Sequence, residues 1–193
     1  MTALEPLKAP RRVPLIPNAV LAMLILVVAE VMFFAGILSA YTIIKGGTLP
    51  GMWPPPNQPR LPAGETAFNT AALLLSGVLL AVAHRKWRGG LSGAKSYLLA
   101  SWILGAAFVA LQGREWVALL GQGLTMTSSP QGGFFYLIVG THGLHAIAAL
   151  IALGMAWVRL RAGSLSSGFF FGTQVFWYFV VALWPIIYAR VYF

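Results

Sequence analysis

The chain of 193 residues is 59% hydrophobic and only 9% charged, with a mean hydropathy of +0.79, which excludes an ordinary soluble domain and reads as a membrane protein. It has no cysteine and no aspartate, so disulfides, thiolate metal ligands and cysteine nucleophiles are excluded. The formal charge of +9 comes from thirteen Lys and Arg against four acids; these basic residues fall between apolar runs, which fits anionic headgroups and membrane orientation rather than nucleic acid.

Five apolar stretches have the roughly 20 residues that a helix needs to cross a bilayer: about 18–44, 65–84, 96–120, 132–158 and 168–188. Their apolar content is continuous rather than alternating, which argues against a transmembrane barrel. The fold class is therefore all-α, a polytopic bundle of five helices forming one transmembrane domain over 1–193. The lead "PLKAPRRVPLIPN" precedes the first span, which is too long for a signal-peptide h-region and lacks a small-residue cleavage site, so it is expected to be retained.

The basic residues set the orientation. Lys8, Arg11 and Arg12 precede the first span, Arg85, Lys86, Arg88 and Lys95 separate the second from the third, and Arg159 and Arg161 separate the fourth from the fifth. These segments are expected on the cytoplasmic side, with the N-terminus inside and the C-terminus outside. The opposite side receives a Pro-rich loop bearing Trp53, with Lys45 and Arg60, and the loop "GQGLTMTSSPQGG", which has no basic residue.

In the first span, "LILVVAEVMFFAG" places Glu30 about 20 Å above Pro17, near the bilayer centre. In the fourth, "THGLHA" places His142 and His145 at similar depth and, three residues apart, on one helix face. A carboxylate at that depth costs several kcal/mol unless paired or neutral, so the first and fourth spans are expected to touch, with Glu30 bonded to His142 or His145. Two roles fit: a bond between helices or to a lipid held between them, and an element of a proton relay.

The second span opens with Glu65 beside Thr66, read as an N-terminal capping acid, and ends in His84 at the interface. The third carries "LQGREW", in which Gln112 and Glu115 share a face while Arg114 points elsewhere and can reach headgroups. Glu115 is read as a helix-end hydrogen bond or a partner for an adjacent subunit. In the fifth, Trp177 and Trp184 are seven apart with Val181 near the same face, as interfacial anchors or protein contacts, and Pro185 is expected to bend or end the helix. No catalytic, cofactor-binding or metal-binding residue is expected.

These stretches together resemble subunit III of the haem-copper oxidases, the cytochrome c and quinol oxidase family. "AEVMFFAG" is similar to the family's helix with a membrane-buried glutamate, "FNTAALLLSG" to its Asn-Thr-to-Ser helix on Asn69, Thr70 and Ser76, "LQGREW" through Trp116 to its Gln-x-x-Glu-Trp element, and "GTHGLHAIAAL" to its Gly-x-His-Gly-x-His helix. "WYFVVALW" departs from the family's Trp-His-Phe-Val-Asp pattern, with Tyr178 for the histidine and Val181 for the aspartate. The length corresponds to the five-helix form.

The resemblance implies a non-catalytic subunit of an aerobic respiratory terminal oxidase in a bacterial inner membrane. It implies contact mainly with subunit I, then with subunit II and small subunits, haem and copper in those partners, and a supporting role in proton uptake. It also implies bound phospholipid, with Asn69, Gln112, Arg114, Glu115, Trp116, Trp177 and Trp184 as interface or lipid contacts. An accessory subunit of a nitric oxide reductase is the alternative that the altered fifth span keeps open. A small proton-coupled transporter or channel is a third reading, which the absence of an obvious internal duplication weakens.

Overall fold

The computed structural model describes residues 18–49, 52–56 and 58–193, so the basic lead with Lys8, Arg11 and Arg12 lies outside the described residues. The structure consists of five helices, α1 (Asn18–Gly46), α2 (Ala63–Arg88), α3 (Ala94–Gly121), α4 (Pro130–Arg161) and α5 (Ser167–Val191), with no strand among the described residues. All five are long and apolar enough to cross a membrane. At 25 to 32 residues, the fourth and fifth reach about 38 to 48 Å at 1.5 Å per residue. Each helix extends past the limits read from apolar content, because hydrocarbon ends where polar residues begin whereas a helix continues into the headgroups.

Local chemistry fixes the ends. Ser129 accepts a hydrogen bond from the Gly132 amide at 3.0 Å and is followed by Pro130 in the first turn of α4. Ser166 accepts from the Phe169 amide at 3.4 Å to open α5. At α2 the expectation for Glu65 changes: the N-cap is Pro62, no side chain caps it, and Glu65 stands exposed in the first turn. Thr66 instead turns inward. Pro185 neither ends nor interrupts α5, which runs on to Val191. In a membrane bundle, packing against neighbouring helices offsets the amide that proline lacks.

α2 packs along α3, and α5 touches α1, α2 and α4, which makes α5 the most enclosed helix and α1 the least. Its aromatics account for this. Trp177 and Trp184 are both fully buried, so they do not form an interfacial belt. Their indole N–H groups donate to Ser76 Oγ at 2.9 Å and Thr70 Oγ1 at 2.8 Å on α2. Ser101 Oγ on α3 in turn donates to the Ser76 carbonyl at 2.8 Å, and Trp102 Nε1 donates to the Leu150 carbonyl of α4 at 2.9 Å.

Helices approach closely where side chains are small. A Cβ at Gly105 would lie 2.5 Å from Cη2 of Trp177, and one at Gly77 would lie 3.1 Å from Val181 Cγ1. Val181 therefore fills the place where the family pattern has an acid, against the backbone of α2, while Tyr178 sits 36% exposed on the outside. The polar contacts between α2 and α5 include those of the two tryptophans and that of Gln174 Nε2, 3.0 Å from Nδ1 of half-buried His84.

Overpacking at such a contact costs about 1–3 kcal/mol. Gly105→Ala is expected to lower the thermal unfolding midpoint of the detergent-purified protein, whereas Gly113→Ala, where a Cβ would meet nothing within 4 Å, is expected to leave it unchanged or raise it. Equal midpoints for the two variants would show that the Trp177 contact does not limit packing.

Candidate functional site: two buried polar clusters

The first cluster joins α1 to α4. Glu30 Oε2 lies 3.2 Å from His145 Nε2, with the side chains 22% and 16% exposed. The other ring nitrogen, Nδ1, is 2.8 Å from the Thr141 carbonyl one turn earlier. A carbonyl only accepts, so Nδ1 carries hydrogen and Nε2 is left to Glu30. The pair thus links α1 to α4 through Oε2 and Nε2, with the ring held in place by the backbone of α4 itself.

His145, rather than His142, is the histidine that meets Glu30. His142 is enclosed by aromatic rings, with Trp184 at 5.0 Å and Phe34 and Phe108 each at 6.4 Å between centroids. It is 1% exposed, and neither ring nitrogen has a hydrogen-bond partner.

The second cluster joins α2, α3 and the end of α5. Glu115 is 8% exposed; its Oε1 accepts from the Tyr192 hydroxyl at 2.7 Å, and its Oε2 lies 2.8 Å from Thr66 Oγ1. Gln112 Nε2 donates to the Tyr192 oxygen at 2.9 Å. Asn69 Nδ2 donates to Gln112 Oε1 and to the Phe108 carbonyl, both at 3.2 Å. The chain of bonds runs Asn69, Gln112, Tyr192, Glu115, Thr66. Arg114 is exposed on another face of α3, as the spacing predicted. Trp116 stacks on Tyr136 at 5.4 Å, with an indole N–H that has no partner.

Sequence reasoning did not assign Tyr192 and Thr66 to this cluster. Thr66 stands on a recoverable pattern, because Thr66, Asn69, Thr70, Ser76 and Gly77 form the buried polar and small stripe of α2, at spacings that keep one face. α3 answers with Ser101, Gly105, Gln112 and Glu115. Tyr192 follows the last helical residue and gave no periodic signal.

Among the described residues, no group of three His, Cys, Asp or Glu side chains could hold a metal ion. Glu30 and Glu115 spend their bonds on neighbouring segments of the same chain. The fold and clusters therefore define a class: an integral membrane protein whose polar interior ties helices together.

Comparison with known proteins narrows the class. The family model for cytochrome c oxidase subunit III matches residues 15–193. The chain is 31% identical over 170 residues to a Nocardia farcinica protein named "Probable cytochrome c oxidase subunit 3", covering 86% of this chain and 82% of that one. It is 29% identical over 181 residues to cytochrome c oxidase subunit 3 of Allomyces macrogynus, covering 90% and 65%, and 30% identical over 178 residues to that of Lemur catta, covering 88% and 64%. The chain spans about two thirds of the length of those last two relatives. It belongs to the cytochrome c oxidase subunit III family, the non-catalytic third subunit of haem-copper oxidases, and these matches do not favour the nitric oxide reductase or transporter alternatives.

The second cluster generates a contrast between variants. Glu115→Gln retains an oxygen for Tyr192 and supplies an amide donor for Thr66, so it is expected to keep near-normal stability. Tyr192→Phe leaves Glu115 and Gln112 each short of a buried partner and is expected to cost about 1–3 kcal/mol, read as a lower unfolding midpoint in detergent. If Glu115→Gln is the more damaging of the two, the acid does more than accept and donate these bonds.

Proposed function

We propose that this chain is the third subunit of an aerobic terminal oxidase in a bacterial inner membrane, packed mainly against subunit I and in the same complex as subunit II and small subunits. Haem and copper belong to those partners, and electron transfer to oxygen coupled to proton pumping is the activity of the assembly. The chain's own contribution is to stabilise subunit I and sustain proton uptake, with phospholipid bound between helices. Asn69, Gln112, Arg114, Glu115 and Trp116 are the contact candidates on the α2 and α3 side. The basic segments between α2 and α3 and between α4 and α5 support a cytoplasmic N-terminus and an outward C-terminus.

The observation that carries this reading is the Glu30–His145 bond at 3.2 Å. It lies within the stretches that resemble the family's buried-glutamate and histidine helices, and it ties the least enclosed helix to the bundle. A bond between spans suits a structural subunit, since hydrogen bonds inside membrane proteins average about 0.6 kcal/mol and reach roughly 1.7.

Two measurements test the proposal. In the complex purified with its native partners, the separated chain is expected to show no haem absorbance; stoichiometric haem on this chain would overturn the assignment. Glu30→Gln is expected to remain assembled and retain most initial turnover, whereas Glu30→Ala, which leaves His145 Nε2 without its partner, is expected to lose subunit retention and activity over successive turnovers. If Gln lost activity from the first turnover as fully as Ala, an ionisable group at position 30 would be required.

A further inference from the structure

The outward end of the bundle carries charges that membrane orientation does not explain. Basic residues gather as a rule on the cytoplasmic side of a span, yet this end holds Lys45 in the last turn of α1, Arg60 before α2, Arg114 near the end of α3 and Arg190 in the last turn of α5. Among the described residues, Glu65 is the one exposed acid at that end, and none of the four cations is engaged in an ion pair. Glu115 is committed to Thr66 and Tyr192.

Lys45 and Arg60 border one pocket of about 300 Å³, which is at the lower limit of small-molecule sites and has room for a single side chain. Its other walls include Trp53, Gln131, Val191 and Tyr192, so it is built from a loop and from the ends of α1, α4 and α5. The pocket therefore opens past the helix ends, away from the helix sides that face hydrocarbon. Its surroundings are held in place. Trp53 meets the Tyr41 ring at 5.7 Å between centroids, the Tyr41 hydroxyl donates to the Val191 carbonyl at 3.3 Å, and Tyr192 is bonded to Gln112 and Glu115. Lys45 is half-buried there, and among the described residues no acidic side chain lines the pocket. Two cations that share a preformed pocket repel each other, and an anion between them relieves both.

We propose that this pocket is the docking site for an acidic side chain, Asp or Glu, on an outward extramembrane segment of another subunit of the complex. The carboxylate sits between the Arg60 guanidinium and the Lys45 ammonium, each of which donates to it. A second copy of this chain is a poor occupant, because it brings only Glu65, on a face that is otherwise cationic. A lipid phosphate is also a poor occupant, because the pocket does not continue onto the apolar side of a span that would hold acyl chains. The inference rests on the reading of the chain as a subunit of a larger membrane assembly, and it adds to that reading a contact beyond the helix ends.

The test is zero-length cross-linking of the intact complex with a water-soluble carbodiimide, which joins a lysine amine to a carboxylate in contact with it, followed by peptide mass spectrometry. Lys45 is expected to be linked to an Asp or Glu of another subunit. Lys45→Arg keeps the charge and removes the amine, so it is expected to abolish the link while leaving the rate of subunit release unchanged. Lys45→Gln with Arg60→Gln is expected to speed release at low salt about fivefold, the scale of a partly exposed ion pair, and to weaken the dependence of release on salt, with an unchanged unfolding midpoint of the chain. Three results overturn the proposal: a complex in which Lys45 links to nothing or only to a carboxyl group of this chain, equal release of the wild-type chain and the double Gln variant, and a photo-crosslinker at position 45 that captures lipid alone. Recovery of the chain with no other subunit overturns the assembly reading and this site with it, whereas an intact complex without the link counts against this site alone.

Discussion

In hydrocarbon a polar group finds no water, so it must find a partner within the protein, and the bundle is organised around that constraint. Backbone groups meet it by forming five helices. The side chains that cannot meet it locally are placed on facing stripes: Thr70 and Ser76 of α2 receive the indole N–H groups of α5, and a carbonyl of α4 receives that of Trp102. Because apolar residues gain little by leaving lipid for one another, such bonds and close packing at small residues hold helices together. Gly105 under Trp177 is where the two devices coincide.

Glu30 and Glu115 answer the constraint differently. Glu30 meets an imidazole that is itself fixed by a carbonyl, and both side chains keep some exposure on the side of the bundle. Glu115 is more deeply enclosed and is met by two hydroxyls rather than by a base. The first arrangement is a single contact between acid and imidazole that joins two helices; the second is a knot of hydroxyl, amide and acid groups that gathers three segments. His142 meets neither pattern and is surrounded by rings.

The number, order and class of the helices were legible because continuous apolar length is a strong signal, and so was the meeting of α1 with α4, since an acid and two histidines at one depth have few other partners. The face shared by Gln112 and Glu115 was equally readable. Helix ends were not, because apolar content reports where lipid stops. The place of the α5 tryptophans stayed open between interfacial anchor and protein contact for a related reason: aromatic residues near a span's end serve as either, and only the facing hydroxyls of α2 decide between them. Pro185 did not end α5, because packing against neighbouring helices offsets the amide it lacks. Tyr192 was hidden because its role comes from where α5 delivers the chain, a long-range fact with no local periodicity.

The hydrogen bonds between α2 and α3 connect residues 25 to 49 positions apart, whereas the tryptophan bonds from α5 to α2 reach back across 101 and 114 positions. During synthesis, the second and third helices can thus leave the translocon already bonded as a hairpin. Thr70, bonded only to the Thr66 carbonyl of its own helix, must then wait in the bilayer until the last helix emerges. Closure of the bundle is a late event, and a ribosome that stalls before Trp177 releases a chain with its central groove still open to the insertion machinery.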